Sequence, residues 1–223
     1  MNPRSPLRWS AALLVLLMGW VNAAEPPAPA PTATQLGPEQ LVRKVAQETL
    51  RDLEANRAEY RKDPRRLRDL IDANMLPYFD TEYMGRSVLA VHWQTATLEQ
   101  RQRFVDAFYK SLLRNYGEAL LDFRSERLQI LAAQQAPDGK TATVRSTILR
   151  DNGTPVEVNY QLRQTPQGWK AFDVHIEGVS YLRTYKRDFA AEISKRGLDA
   201  VIKRLEALSE GKPAVPAAPP TKS

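Results

Sequence analysis

GWKAFDVHIEGVSYLRTYKRDF, residues 168 to 189, passes from a strand through a bend into a helix, and the rest of the chain is read outward from it. Gly168 ends a turn begun at Pro166, and Trp169 to Ile176 alternates two sets of side chains with the period of two of a strand. One set is Trp169, Ala171, Asp173 and His175; the other is Lys170, Phe172, Val174 and Ile176. Gly178 allows a sharp backbone bend, and the Ser180 hydroxyl suits the first free amides of a following helix. Tyr181, Leu182, Tyr185 and Phe189 recur at three and four residues, so that helix has an apolar stripe. A strand turning directly into a helix over its own sheet encloses either a filled core or an apolar pocket.

Upstream of Trp169 the period of two extends over three more strands. Leu128, Ile130 and Ala132 alternate, then Ala142, Val144, Ser146 and Ile148, then Val156, Val158, Tyr160 and Leu162. Asp138-Gly139, Asp151-Asn152-Gly153 and Pro166-Gln167-Gly168 are short turns that join antiparallel neighbours. Arg145, Glu157, Asn159, Gln161 and Arg163 make one sheet face wet, which leaves the other to pack under helices. Before the strands the period is helical. Pro38 opens a first helix carrying Leu41, Val42, Val45, Leu50 and Leu53, expected to fade in the charges after Asn56. Asp63-Pro64 starts a second, which Pro77 ends, and a short third covers Asp80 to Leu89. Thr97 and Gln100 form a capping box for the longest helix, whose stripe runs from Leu98 to Leu121. After the sheet come Tyr181 to Lys195 and, beyond Gly197, a last stripe from Leu198 to Leu208. Helices, an antiparallel sheet and helices again make an α+β fold, a four-stranded sheet packed under helices.

At the amino terminus Arg4 and Arg8 precede the apolar run Ala11 to Val21, with small residues at Val21-Asn22-Ala23. This is the pattern of a cleavable secretory signal, residues 1 to 23, in a run too short to span a bilayer. There is no cysteine, so neither a disulfide nor a lipid anchor is available. Residues 24 to 37 and 211 to 223 are rich in Pro and Ala and read as a linker and a disordered tail around one domain, 38 to 210. With 32 basic and 26 acidic residues the chain carries +6; without Arg4 and Arg8 the mature chain has 30 minus 26, or +4. That mild excess, in an exported chain, argues against nucleic acid. The Arg61-Lys62 and Arg65-Arg66-Arg68 clusters alternate with Asp63, Asp69 and Asp72 and read as a solvated helix face.

Asp173, His175 and Glu177 stand at i, i+2 and i+4, a spacing open to a metal or an acid–base pair. No second ligand cluster accompanies them, so the face reads as solvated or engaged in hydrogen bonds at the sheet edge. His92, beside Trp93 between helices, reads as a surface or capping residue. Ser180 near His175 lacks the G-x-S-x-G setting of a hydrolase, and helix capping accounts for it. The remaining signal is apolar and aromatic. Phe79, Tyr83, Met84, Leu89, Phe104, Phe108, Leu112, Val144, Ile148, Val158, Tyr160, Trp169, Val174, Ile176 and Tyr185 all fall on inward faces, as core or as the lining of a pocket.

The stretch from Trp169 to Phe189 resembles the G-W-x-x-Y/F-D-x-x-x-E-G-V-S signature of the MlaC family of phospholipid carriers, also called the toluene-tolerance family. A second block is similar to the family's other half: Leu76-Pro77-Tyr78, Tyr83, Gly85, Val88-Leu89, Thr95-Ala96-Thr97, Gln100-Arg101, Phe108, Leu112 and Tyr116-Gly117. Together the blocks span most of residues 40 to 208. Three departures stand out: Ala90 where Gly is usual, Phe172 where Tyr is common, and Lys186 near a frequent Arg. The resemblance implies a curved-sheet, nuclear-transport-factor-like cone with added N-terminal helices, and a hydrophobic pocket between sheet and helices. The fifteen inward residues above become candidate lipid-binding residues, with phospholipid as cargo and no cofactor, metal or catalytic group. It further implies a monomeric periplasmic shuttle between the outer and inner membranes that maintains outer-membrane lipid asymmetry. Its partners there would be an outer-membrane MlaA-type lipoprotein complex and the inner-membrane MlaD-type ring of an ABC transporter. Two rivals remain open: a pocket enzyme, an isomerase or dehydratase, which needs a polar dyad such as Asp173 and His175 facing inward, and an envelope adaptor, which needs no cavity.

Overall fold

A computed structural model describes residues 36–150 and 152–209. The signal segment, all but the last two residues of the linker, and the tail lie outside the described residues.

Helix α1 (Pro38–Lys62) starts with its proline in the first turn, where a missing amide costs nothing. It continues past Asn56, beyond the expected end, because the charged turn is anchored. Arg57 donates to the carbonyls of Leu121 and, at 2.8 Å, Phe123, and the Tyr60 hydroxyl donates to Asp52 at 2.5 Å. Asp63 caps α2 (Pro64–Asn74) by accepting from the Arg65 amide. A 3-10 turn, Leu76–Tyr78, leads to α3 (Thr81–Leu89), capped by Asp80. A short helix that the periodicity does not announce, α4 (Val91–Thr95), holds His92, whose carbonyl accepts from Ala96 and from the Thr95 hydroxyl.

Ala90, between α3 and α4, has φ 51° and ψ −117°, a backbone conformation that is strained for any residue with a Cβ. Ala90→Gly is therefore expected to stabilise the fold by about 1 kcal/mol, strain relief of about 1–3 kcal/mol less the larger unfolded-state entropy of glycine. Thermal unfolding should move up by about 2–4 °C; an unchanged or lower midpoint would mean that the strain is relieved elsewhere. Gly85 answers a different need. A Cβ there would lie 2.6 Å from Val105 Cγ2, so glycine lets α3 close on the next helix.

That helix, α5 (Leu98–Tyr116), begins with the expected capping box: the Gln100 amide donates to Thr97 Oγ1 at 3.1 Å and the Thr97 amide to Gln100 Oε1 at 3.0 Å. It ends five residues short of Leu121, where the chain tightens into a 3-10 segment, Gly117–Asp122.

Among the described residues six strands follow: β1 (Phe123–Ile130), β2 (Gln134–Gln135), β3 (Thr141–Arg150), β4 (Pro155–Thr165), β5 (Gly168–Ile176) and β6 (Val179–Ser180). They make one antiparallel sheet in the order β1-β3-β4-β5-β6, with β2 also on β3. The four expected strands are its long members; β2 and β6 are two-residue additions too short to carry a period. Helices α6 (Tyr181–Arg196) and α7 (Leu198–Ser209) close the chain.

One feature of β5 breaks the simple alternation. Leu162 pairs with Ala171 but Gln161 with Asp173, which leaves Phe172 as the extra residue of a β-bulge. A bulge bends its strand and shifts the side-chain parity. Trp169 and Ala171 therefore share the inward face with Val174 and Ile176, which pair with Tyr160 and Val158. Phe172 packs against Tyr83 instead, ring centres 5.2 Å apart.

Three apolar clusters hold these layers together, each fully buried large side chain contributing about 1.5–3 kcal/mol. Val88, Phe104, Phe108, Phe189 and Ile202 join α3, α5, α6 and α7. Leu53, Leu67, Ile71, Ile148 and Val158 join α1 and α2 to the sheet. Leu41, Val42 and Val45 lie against Val144, Leu162 and Ala171.

Candidate functional site

Between these clusters lies an apolar cavity of about 190 Å³. The stretch from the end of α2 through the 3-10 turn into α3 supplies Ile71, Met75, Phe79 and Met84. From α5 and the 3-10 segment come Phe108, Tyr109, Leu112, Leu113, Tyr116, Gly117 and Leu120. The floor is Asp173, Val174 and Ile176 of β5, and α6 adds Tyr181, Leu182 and Tyr185. The opening stretch of the chain, Gly168 to Phe189, thus supplies both the floor and one wall. Bulge and bend cooperate here: the bulge turns Val174 and Ile176 inward, and the tight turn at Glu177 and Gly178, φ 50° and 81°, sends α6 back across them.

Seven of the fifteen inward residues line this cavity: Phe79, Met84, Phe108, Leu112, Val174, Ile176 and Tyr185. Leu89 and Phe104 are buried in the helical cluster, Val144 and Trp169 pack with α1, and Ile148 and Val158 pack under α1 and α2. Tyr160 bridges the two sheet clusters, its burial pushing the phenol pKa up. Tyr83 lies on a separate surface cleft with Arg86, Arg163 and Lys170, the Arg163 guanidinium 4.6 Å from its ring centre. Eight apolar or aromatic lining residues were read only as stripe or missed: Ile71, Met75, Tyr109, Leu113, Tyr116, Leu120, Tyr181 and Leu182. Helical spacing marks a face as apolar and does not say which neighbour it meets.

Asp173, His175 and Ser180 come together, and their arrangement decides what they do. Asp173 is 5% exposed, which corrects the reading of its face as solvated in favour of hydrogen bonding at the sheet edge. Its Oδ1 accepts from the Leu182 amide at 2.9 Å, and its Oδ2 accepts from the Ser180 hydroxyl at 2.6 Å and lies 3.0 Å from His175 Nε2. Ser180 Oγ in turn accepts from the Arg183 amide at 3.0 Å. In a nucleophile relay the imidazole stands between hydroxyl and carboxylate. Here the carboxylate stands between them, so the serine proton goes to Asp173. Ser180 and Asp173 jointly cap α6. Among the described residues no group of three or more His, Cys, Asp or Glu could hold a metal ion.

Besides the Asp173 carboxylate, the polar side chains of the lining are phenols. Tyr109 donates to Asp72 at 2.9 Å, and the Tyr116 and Tyr185 hydroxyls are 3.1 Å apart. Burial, then hydrogen bonding to Tyr116, pushes the Tyr185 pKa up; burial, then the Tyr116 interaction, pushes Tyr181 to about 12. A phenol whose pKa is higher in the folded protein stabilises the fold fully below the unfolded value near 10 and loses that contribution as the pH rises through the folded value. Stability is therefore expected to hold to about pH 10 and to fall between there and about pH 12. Phenolate absorbance and circular dichroism should change together in that window. Smooth phenol ionisation in an intact fold would overturn the assignment.

Among the described residues no helix is long and apolar enough to cross a membrane. The family model described as MlaC protein matches residues 43–207. The chain is 26% identical over 175 residues to the intermembrane phospholipid transport system binding protein MlaC of Haemophilus influenzae, covering 77% of this chain and 82% of that one. It is 30% identical over 188 residues to the toluene tolerance protein ttg2D of Pseudomonas putida, covering 84% of this chain and 83% of that one. A phospholipid-binding protein from Ralstonia solanacearum, solved in complex with a phospholipid, superposes with a TM-score of 0.68 at 28% identity over 76% of this chain and 95% of that one. An α+β fold with an apolar cavity between sheet and helices, and a family match over most of that fold, place the chain in the MlaC family.

Proposed function

We propose that this protein is a periplasmic phospholipid carrier that moves lipid between the outer and inner membranes. The observation that carries the reading is the cavity beside α5 and α6, in a chain whose solved relative is described in complex with a phospholipid. Moving an acyl chain into water costs about 0.8 kcal/mol per methylene, so a lipid with about thirty methylenes faces a barrier near 24 kcal/mol. A soluble protein that replaces water with Phe, Leu, Met and Val side chains removes most of that barrier without covalent chemistry. Such burial selects weakly among chains and hardly among headgroups. The cavity of about 190 Å³ is smaller than the roughly 300–1,000 Å³ that hold drug-sized ligands, so loading requires the helical wall to part from β5.

As part of an Mla system, the carrier would load and unload at an MlaA-type lipoprotein complex and an MlaD-type ring, as a monomer exported with a cleaved signal. The saturated Asp173 cap favours binding over catalysis. Native mass spectrometry of the mature protein, purified from the periplasm without detergent, is the test. Released mass identified as phospholipid supports the carrier; bare protein that takes nothing from liposomes overturns it.

A further inference from the structure

We propose that the hydroxyls of Tyr116, Tyr181 and Tyr185 form a polar subsite that donates a hydrogen bond to an ester carbonyl or phosphate oxygen of the bound lipid. The inference rests on the carrier reading and says where along the lipid the protein holds it. Tyr116 ends α5, Tyr181 begins α6, and Tyr185 stands one turn later, so the three phenols meet where the two helices converge. The Tyr116 and Tyr181 rings meet edge to face at 5.0 Å, and the Tyr116 and Tyr185 oxygens are 3.1 Å apart.

Donor counting leaves a remainder. Three phenols carry three O–H donors. The two contacts among them, Tyr116 with Tyr185 and Tyr116 with Tyr181, consume at most two. At least one O–H is therefore uncommitted. The other polar groups of the described lining are engaged, Tyr109 with Asp72 and the Asp173 carboxylate with the α6 cap. Raised pKa values keep the Tyr181 and Tyr185 phenols protonated at neutral pH, as donors.

Position matches chemistry. Tyr185 is 8% exposed while Tyr116 and Tyr181 are half-buried, so the trio runs from the apolar interior to the surface. Tyrosine suits such a boundary, with an apolar body and a polar tip. In a phospholipid the matching boundary is the glycerol, where ester carbonyls and phosphate oxygens offer acceptors and no donors.

The test uses the mature protein and its Tyr116→Phe, Tyr181→Phe and Tyr185→Phe variants. Equilibrium uptake is measured from vesicles of a dipalmitoyl diester phosphatidylcholine and of its diether analogue, with diphenylhexatriene as an all-hydrocarbon probe. Loss of one net hydrogen bond predicts about a fivefold weaker uptake of the diester lipid, with the hydrocarbon probe unaffected. If the diether lipid is insensitive to the substitutions, the acceptor is the ester carbonyl; if it weakens in parallel, the acceptor is phosphate. Tyr181→Phe, at a half-buried position, keeps the test open should Tyr185→Phe fold poorly. Wild-type uptake matched by all three variants overturns the subsite and leaves the carrier standing. A wild type that takes up neither lipid overturns the carrier reading and the subsite with it.

Discussion

A Leu112→Trp protein is expected to fold and to come from the periplasm without lipid. Leu112 lines the cavity from the C-terminal part of α5, in the same lining as Val174 and Ile176 of the floor. An indole there grows into space that no other side chain occupies, and takes up room that an acyl chain needs. Because the cavity is already small, at about 190 Å³, the lipid has nowhere to retreat without separating α5 from β5. The contrast is Val158→Trp. Val158 is buried among Leu53, Leu67 and Ile71 and does not line the cavity, so the same enlargement overpacks a filled core. Overpacking costs about 1–3 kcal/mol or more. Native mass spectrometry and thermal unfolding of the two variants separate the cases: Leu112→Trp loses lipid and keeps its midpoint, while Val158→Trp loses stability. If Leu112→Trp unfolds, or still carries phospholipid, the cavity is not where the chains lie.

Asp173→Ala is expected to be the most destabilising single truncation in the β5–α6 corner. The substitution removes the acceptor for the Leu182 amide and for the Ser180 hydroxyl, and the neighbour of His175 Nε2. Loss of a helix cap costs about 1 kcal/mol, and a buried hydroxyl left without a partner about 1–3 kcal/mol. The sum is about 3 kcal/mol, or about 6–12 °C in the unfolding midpoint of a protein this size. Asp173→Asn should cost less, since its carbonyl oxygen can still take the Leu182 amide. The consequence reaches the cavity, because Tyr181, Leu182 and Tyr185 sit on the helix that this cap positions. A loss below about 1 kcal/mol would mean that Ser180 alone caps α6.

Some residues announced their roles because those roles are local. Thr97 and Gln100 form a capping box, Asp63 caps α2, and Ser180 caps α6, each within three residues of its partner. Asp173 did not, although it is the residue that completes the α6 cap. Its partners lie seven and nine residues away, across a bend whose geometry alternation alone does not reveal. Ala90 shows the reverse case: a departure from the family pattern in the sequence becomes, in the structure, a strained φ of 51°.

By itself, then, the sequence determined the order of the long elements, helical or extended, the four long strands and most apolar faces, because these depend on neighbours within a turn or a pleat. Tertiary structure decided which apolar faces meet each other and which meet empty space. Leu89 and Leu112 are equally apolar on helical stripes, yet one is core and the other lining. The difference comes from the bulge at Phe172, which turns Val174 and Ile176 inward, and from the bend at Glu177 and Gly178, which sets α6 beside α5. Packing between elements far apart in the chain depends on such angles, and no local pattern of hydrophobicity encodes them.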